Sequence, residues 1–139
     1  MLDLKLLGIE LQEWPYDYEA ALDQAPLDHR GTLVVPTSPF FFRDRERIAD
    51  FASRHRIPSM FVFREWVEAG GLLSYGPSIT AQFVRVAEFV DRIAQGAKPA
   101  DLPIEQPTKF EMVVNLKTAK AIGIELPMAI LLRADEVIE

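Results

Sequence analysis

The sequence predicts an α/β fold, an open parallel three-layer sheet with helices on both faces. Thr32–Val35 and Ser59–Phe63 are short apolar runs without polar alternation, as expected for strands buried on both faces. Segments of helical period separate such runs, and strands that alternate with helices favour a parallel sheet. The 139 residues, 49% of them hydrophobic, suffice for one domain, residues 1–139.

The N-terminal quarter contains two predicted helices and a strand. Leu2–Leu7 has the pattern of the last turns of a helix, so the chain begins inside an element. Ile9–Trp14 has strand character and is closed by a proline. Asp17 then caps a helix that runs from Tyr18 to about Gln24.

The middle of the chain continues the alternation. After Thr32–Val35 we expect a helix from Arg43 to His55, whose inward residues are Ile48, Phe51 and Ala52. Ser59–Phe63 is the next buried strand. It leads into a charged elbow, Phe63–Pro77, which joins it to a further short apolar run.

The second half begins with the clearest helix. Ser78 is its predicted N-cap and Gly96 ends it, with apolar residues at helical spacing in between. Lys98–Pro107 holds three prolines and is an extended connector. We expect a strand at Phe110–Leu116, a helix to Ile122 and a short helical turn from Pro127 to Leu132.

Composition excludes several classes of function. A net charge of −6 and a pI near 5.0 argue against nucleic acid as a partner, because nucleic-acid binders concentrate basic residues on one face. Without cysteine there is no disulfide, thiolate nucleophile or sulfur-ligated metal. The N-terminus lacks the pattern of a signal peptide, and no apolar run approaches the length of a membrane span, so we expect a soluble chain.

Catalytic chemistry has few candidates in this sequence. His29 and His55 are the two histidines, and neither has a partner at metal-ligand spacing or a nucleophile beside it. Glu65 and Glu68 are one helical turn apart, which favours a surface or hinge role. We therefore expect no catalytic residues, no metal and no cofactor.

Three loops each follow the carboxyl end of a predicted parallel strand, the edge at which open α/β sheets bind ligands. They offer the hydroxyls of Thr37 and Ser38, the guanidinium and carboxylate of Arg64 and Glu65, and the ring of Tyr75. Arg64 could hold a ligand carboxylate with two parallel hydrogen bonds. These five residues form the predicted ligand-binding set. The alternative is that they only form turns and caps.

Three ordered motifs carry a resemblance to a known family. They are Phe63–Pro77 (FREWVEAGGLLSYGP), Gly96–Glu111 (GAKPADLPIEQPTKFE) and Val114–Gly123 (VNLKTAKAIG). The chain closely resembles the ABC-transporter substrate-binding proteins of the periplasmic-binding-protein type I fold. The resemblance extends to the closing Arg133–Glu139 and covers the C-terminal part of a usual member.

The resemblance implies binding of a small ligand such as an amino acid, without catalysis, and a transporter permease as partner. It implies that residues 1–72 and 108–139 belong to the second lobe of the family fold, and that residues 74–96 supply a strand end and a helix to the first. It also implies a periplasmic location. Without a signal peptide, however, the chain is cytoplasmic if Met1 is its natural start.

The chain departs from the family by lacking the first lobe, so we expect weak ligand binding without closure of two lobes. The helix from Ser78 to Gly96 would then expose its apolar face, and we expect it to mediate a homodimer. The main alternative function is a truncated, ligand-free homodimeric interaction module. A small flavodoxin-like enzyme is a third possibility, for which no base is evident.

Overall fold

The computed structural model describes residues 6–11, 13–23 and 31–139. Its centre is a sheet of five strands arranged in chain order. The strands are β1 (Leu33–Val34), β2 (Ser59–Phe61), β3 (Leu73–Pro77), β4 (Phe110–Asn115) and β5 (Glu136–Ile138). The predicted α/β class is confirmed.

One of the four strand pairings is antiparallel. β1 with β2, β2 with β3 and β4 with β5 are parallel, whereas β4 runs against β3. Pro77 at the end of β3 lies opposite Phe110 at the start of β4. Because the chain leaves and re-enters the sheet at the same edge, β4 must run in the opposite direction. The sheet is therefore mostly parallel, where the sequence predicted a wholly parallel one.

Seven helices surround or extend from the sheet in the described part of the chain. They are α1 (Tyr18–Asp23), α2 (Pro39–Arg43), α3 (Arg45–Arg54), α4 (Arg64–Glu68), α5 (Ile79–Ala94), α6 (Leu116–Ile122) and α7 (Met128–Leu131). The predicted caps of α1 and α5 are confirmed. The Asp17 carboxylate accepts from the first amides of α1, and the Ser78 hydroxyl accepts from the amide of Ala81.

The prediction of a strand at Ile9–Trp14 is wrong. Residues 6–11 have no regular structure and residues 13–15 form bends. Ile9 and Trp14 are exposed, so the apolar side chains that suggested a strand pack on no sheet face. A strand needs a hydrogen-bonded neighbour, and the sheet described here ends at β1 on that side.

The predicted helix from Arg43 to His55 is found as α3, and Asp44 separates it from α2, which the sequence did not predict. Asp44 is buried, and its carboxylate accepts hydrogen bonds from the hydroxyl of Tyr18 (2.9 Å) and the guanidinium of Arg47 (3.1 Å). This aspartate thus anchors α1 to the junction of α2 and α3. Burial, together with the Asp44 hydrogen bond, raises the pKa of Tyr18.

The main core lies between α3, α4 and one face of the first two strands. Trp66 of α4 stacks on Phe61 of β2 with the ring centroids 4.6 Å apart, and Val35 and Ile48 complete the buried cluster. A second cluster joins α6 to the start of β3 through Leu72, Ala119 and Ile122. These two clusters fix the elbow between β2 and β3.

Two hydrogen bonds tie α6 to the elbow. The side-chain amide of Asn115 donates to the carbonyl of Val67 at 3.2 Å, and the hydroxyl of Thr118 donates to the carbonyl of Gly70 at 2.9 Å. Asn115 also caps α6 by accepting from the amide of Thr118. These bonds fix the C-terminal end of α4 beside the start of β3. The first turn of α4 therefore lies at the carboxyl end of β2.

Helix α5 is the longest helix of the described residues, with 16 residues, and none of its residues is buried. It starts one residue after β3, and residues 95–109 return the chain to β4. In the described ranges no helix combines the length and the apolar character needed to cross a bilayer.

Gly76→Ala tests the close packing of β3 on the preceding segment. A Cβ at position 76 would lie 2.2 Å from the carbonyl oxygen and 2.8 Å from Cγ1 of Val62. We expect the substitution to lower the free energy of unfolding by about 2–3 kcal/mol in urea denaturation. The matched control is Gly8→Ala, where the described residues leave a Cβ free of neighbours within 4 Å. Equal stability of the two variants would contradict the packing at β3.

Candidate ligand-binding site

Thr37 and Ser38 follow β1 and line a small hollow at the carboxyl ends of the first two strands. Its other walls are Val35, Pro36, Phe42, Val62, Phe63 and Trp66. The hollow has a volume of about 10 Å³, which is room for one water molecule. Ser38 precedes α2 without making a side-chain capping bond, so its hydroxyl is not used by that helix. A ligand would therefore rest on this edge of the sheet.

Arg64 follows β2 and is surrounded by three carboxylates. Its Nε donates to Glu68 at 2.9 Å, one Nη donates to Glu111 at 3.4 Å, and the other Nη donates to Glu136. The hydrogen bonds that Arg64 donates to Glu68 and to Glu136 raise the pKa of Arg64. The guanidinium fork that the sequence suggested for a ligand carboxylate is thus already occupied by protein groups.

Sheet topology brings these carboxylates together. Glu68 is one turn beyond Arg64 in α4, Glu111 stands opposite Gly76 in β4, and Glu136 stands opposite Val113 at the start of β5. Because β4 and β5 run against β1–β3, their first residues lie at the edge where the first three strands end. Arg64 therefore links α4 to both strands of the second half of the sheet.

Two buried carboxylate oxygens have no partner among the described residues. They are Oε1 of Glu111, which belongs to this cluster, and Oε2 of Glu65, the neighbour of Arg64 in the sequence. Three glutamates pair with one arginine, so the cluster has a formal excess of two carboxylates. Buried acceptors of this kind are costly unless a donor reaches them. The cluster is thus suited to a cationic hydrogen-bond donor.

Tyr75 lies on the other side of the sheet. Successive residues of a strand point to opposite faces, so Tyr75 of β3 faces away from Ser74 and Gly76 and from Glu111, which pairs with Gly76. Tyr75 is half exposed, and the centroid of its ring lies 5.8 Å from the centroid of the Phe110 ring.

Thr37 and Ser38 thus share one hollow, and Phe63 of that hollow directly precedes Arg64 and Glu65. Tyr75 is separated from these four residues by the sheet. The roles of all five residues in ligand binding stay predictions.

Sequence reasoning missed Glu111 and Glu136. They lie 47 and 72 residues from Arg64 along the chain, and no local spacing relates them to it. Only the strand order and the register of β4 and β5 place them beside the arginine. His55, by contrast, contacts Glu19 on the surface, and His29 lies outside the described residues.

Comparison with known proteins supports the resemblance found in the sequence. The family model for "ABC transporter substrate binding protein" matches residues 17–138, which is most of the chain. The chain belongs to this family. A comparison with curated protein sequences gave no significant match.

Several solved structures share the fold of this family member. The ABC domain in complex with L-Trp from Streptococcus pneumonia is 26% identical with a TM-score of 0.70, and the match covers 77% of this chain and 37% of that one. A conserved domain protein from Vibrio cholerae is 24% identical with a TM-score of 0.69, over 76% and 35% of the two chains.

A third structure is the ligand-free, open form of a substrate-binding protein with adhesive properties from Clostridium difficile. It is 23% identical with a TM-score of 0.53, and the match covers 77% of this chain and 36% of that one. The matched region thus spans about a third of each solved structure. The division of residues 1–139 between two lobes of the family fold stays a prediction.

Arg64→Met tests the carboxylate cluster. The substitution leaves Glu111, whose side chain is 14% exposed, beside Glu68 and Glu136 without their shared cation. We expect the free energy of unfolding to fall by about 1–3 kcal/mol, after allowing for the partial exposure of Arg64.

The matched control is Arg54→Met, which removes an arginine that is paired with Glu19 and Asp50 on the open surface. It should destabilise the chain less than Arg64→Met does, because ion pairs on the open surface are screened by solvent. Urea unfolding of both variants gives the comparison, and an Arg64→Met variant no less stable than Arg54→Met would contradict the structural role of the cluster.

Proposed function

We propose that this chain is a non-catalytic solute-binding module that binds an amino acid at the carboxyl ends of β1–β3. The observation that carries the proposal is that the buried Oε1 of Glu111 and the buried Oε2 of Glu65 lack hydrogen-bond partners among the described residues, although every guanidinium nitrogen of Arg64 already donates to a glutamate. An ammonium group supplies both the positive charge and the three hydrogen-bond donors that such acceptors require.

In this proposal different residues at this edge bind different groups of the ligand. Glu65, with Glu111, accepts hydrogen bonds from the ammonium group, and Arg64 positions the glutamates. The hydroxyls of Thr37 and Ser38 donate to the ligand carboxylate, and the ligand side chain lies outside their hollow, which has room for only one water molecule. Tyr75 lies on the opposite face of the sheet, so its predicted role in ligand binding is not part of this arrangement.

Two findings support an amino acid as the ligand class. The chain belongs to a solute-binding family, and one structural neighbour was solved in complex with L-Trp. Family membership also supports the wider role that we propose, delivery of the ligand to the permease of an ABC transporter outside the cytoplasm. Binding without a chemical step agrees with the same family.

The affinity of the isolated chain should be low. The edge is open, and a ligand held from one side loses its freedom without the burial that a closed cleft gives. We expect dissociation constants on the order of 1 mM, a free energy near −4 kcal/mol.

A ligand-free homodimeric interaction module is the second candidate function. The full exposure of α5 favours it, because an amphipathic helix is normally covered on its apolar face. This candidate predicts that the chain associates with itself and binds none of the ligands tested below.

Ligand-observed NMR with three related compounds tests the proposed site. L-tryptophan and tryptamine both carry the ammonium group, whereas indole-3-propionate has the carboxylate alone. We expect saturation transfer to the first two and little to the third. Glu65→Gln should weaken tryptamine binding about tenfold, because a neutral amide loses the charge-assisted bond.

The matched control is Glu46→Gln, which makes the same change on the exposed side of α3. It should leave tryptamine binding unaltered. Preferential binding of indole-3-propionate, or equal effects of the two glutamate variants, would contradict an ammonium site at Glu65.

A further inference from the structure

The apolar stripe of α5 is exposed along its length. It consists of Phe83, Val86, Val90 and Ile93, which recur at helical spacing and lie on one side of the helix. Phe83 is 70% exposed and Val90 is 60% exposed. From Phe83 to Ile93 the stripe is roughly 15 Å long at the rise of an α-helix.

A second apolar surface lies on the sheet. Val34, Met60, Tyr75 and Phe110 come from four adjacent strands, and strand register with side-chain alternation places them on the same face. Val34 is 58% exposed and Phe110 is 47% exposed. This open sheet patch crosses three gaps between strands, roughly 14 Å, and also advances from the level of Leu73 to that of Pro77, so it is roughly 20 Å long. It is therefore long enough to cover the stripe of α5.

Helix α5 does not cover the patch of its own chain. Ser78 alone separates β3 from α5, and the helix has no buried residue in the described structure. A membrane surface is a poor alternative occupant, because the polar side of α5 carries Arg85 and Arg92 against Glu88 and Asp91 and is neutral overall.

Size distinguishes two ways of pairing with a second copy. Large apolar side chains have surfaces of roughly 200 Å² each, and the four in each set are about half exposed, so the stripe and the patch each offer about 400 Å². Pairing the two α5 helices with each other would bury about 800 Å² in total, which is the size of a crystal contact. Placing each α5 on the partner's sheet patch would bury about 1,600 Å², which is typical of a specific interface.

We propose that two copies of this chain form a symmetric dimer in which α5 of each covers the open sheet patch of the other. The inference is independent of the ligand site, since it rests on surfaces that the glutamate cluster does not use. The dimer gives both apolar surfaces the cover that layered α/β structures require.

Sedimentation velocity of the full chain across the micromolar range tests the dimer. The native chain should sediment with twice the monomer mass of 15.7 kDa. Val90→Lys on the stripe and Val34→Lys on the patch should each weaken association at least tenfold. Gln95→Lys adds the same charge to an exposed position of the α5 terminus away from the stripe and should leave the dimer intact.

Mixing provides the sharper test. A Val90→Lys chain keeps an intact patch and a Val34→Lys chain keeps an intact stripe, so an equimolar mixture should recover dimer that neither variant forms alone. Circular dichroism checks that all variants remain folded. A native chain that stays monomeric, or a Val34→Lys variant that dimerises like the native chain, would overturn the proposal.

Discussion

A single guanidinium organises the edge of the sheet that carries the candidate site. Arg64 reaches Glu68 in its own helix, Glu111 in β4 and Glu136 in β5, so it joins three elements that are distant in sequence. The pairing neutralises part of a dense group of carboxylates and holds the others in place. The properties of the edge follow from it, because an arginine committed to protein carboxylates leaves a net negative surface.

The direction of β4 makes this arrangement possible. The chain leaves the sheet at Pro77 and returns at Phe110 opposite it, so the beginnings of β4 and β5 meet the ends of β1–β3. In a wholly parallel sheet the first residues of the last two strands would lie at the far edge. The same excursion carries α5 away from the sheet and leaves both its stripe and the sheet patch uncovered.

Much of the fold followed from local sequence. The positions of β1 and β2, the caps Asp17 and Ser78 and the inward face of α3 are encoded within a few residues, and the structure confirms them. The prediction that both strands are buried on both faces is wrong, because Val34 and Met60 are exposed on one face. The strand predicted at Ile9–Trp14 failed because a strand also needs a neighbour, which periodicity cannot supply. Helix α2 escaped prediction, and Asp44 at its end accepts a hydrogen bond from Tyr18, which is 26 residues away.

The candidate site was less predictable than the fold. Its position after a predicted strand pointed to Arg64. Whether its guanidinium is available to a ligand depends on Glu111 and Glu136, and only the strand register places these two residues beside it. Tyr75 was grouped with it because both follow strands, yet strand alternation puts Tyr75 on the opposite face. Position along the sheet edge is thus readable from sequence, whereas the face and the partners of each side chain require the tertiary structure.

The central claim is that Arg64 bonds to carboxylates of the protein, whereas Glu65 binds the ligand. NMR of labelled protein during a titration with L-tryptophan tests it most directly, by following the side-chain Nε–H of Arg64 and the carboxyl carbon of Glu65 together. We predict a slowly exchanging Arg64 signal that scarcely moves and a Glu65 signal that shifts with ligand. A rapidly exchanging Arg64 signal that shifts on titration while Glu65 stays constant would contradict the claim.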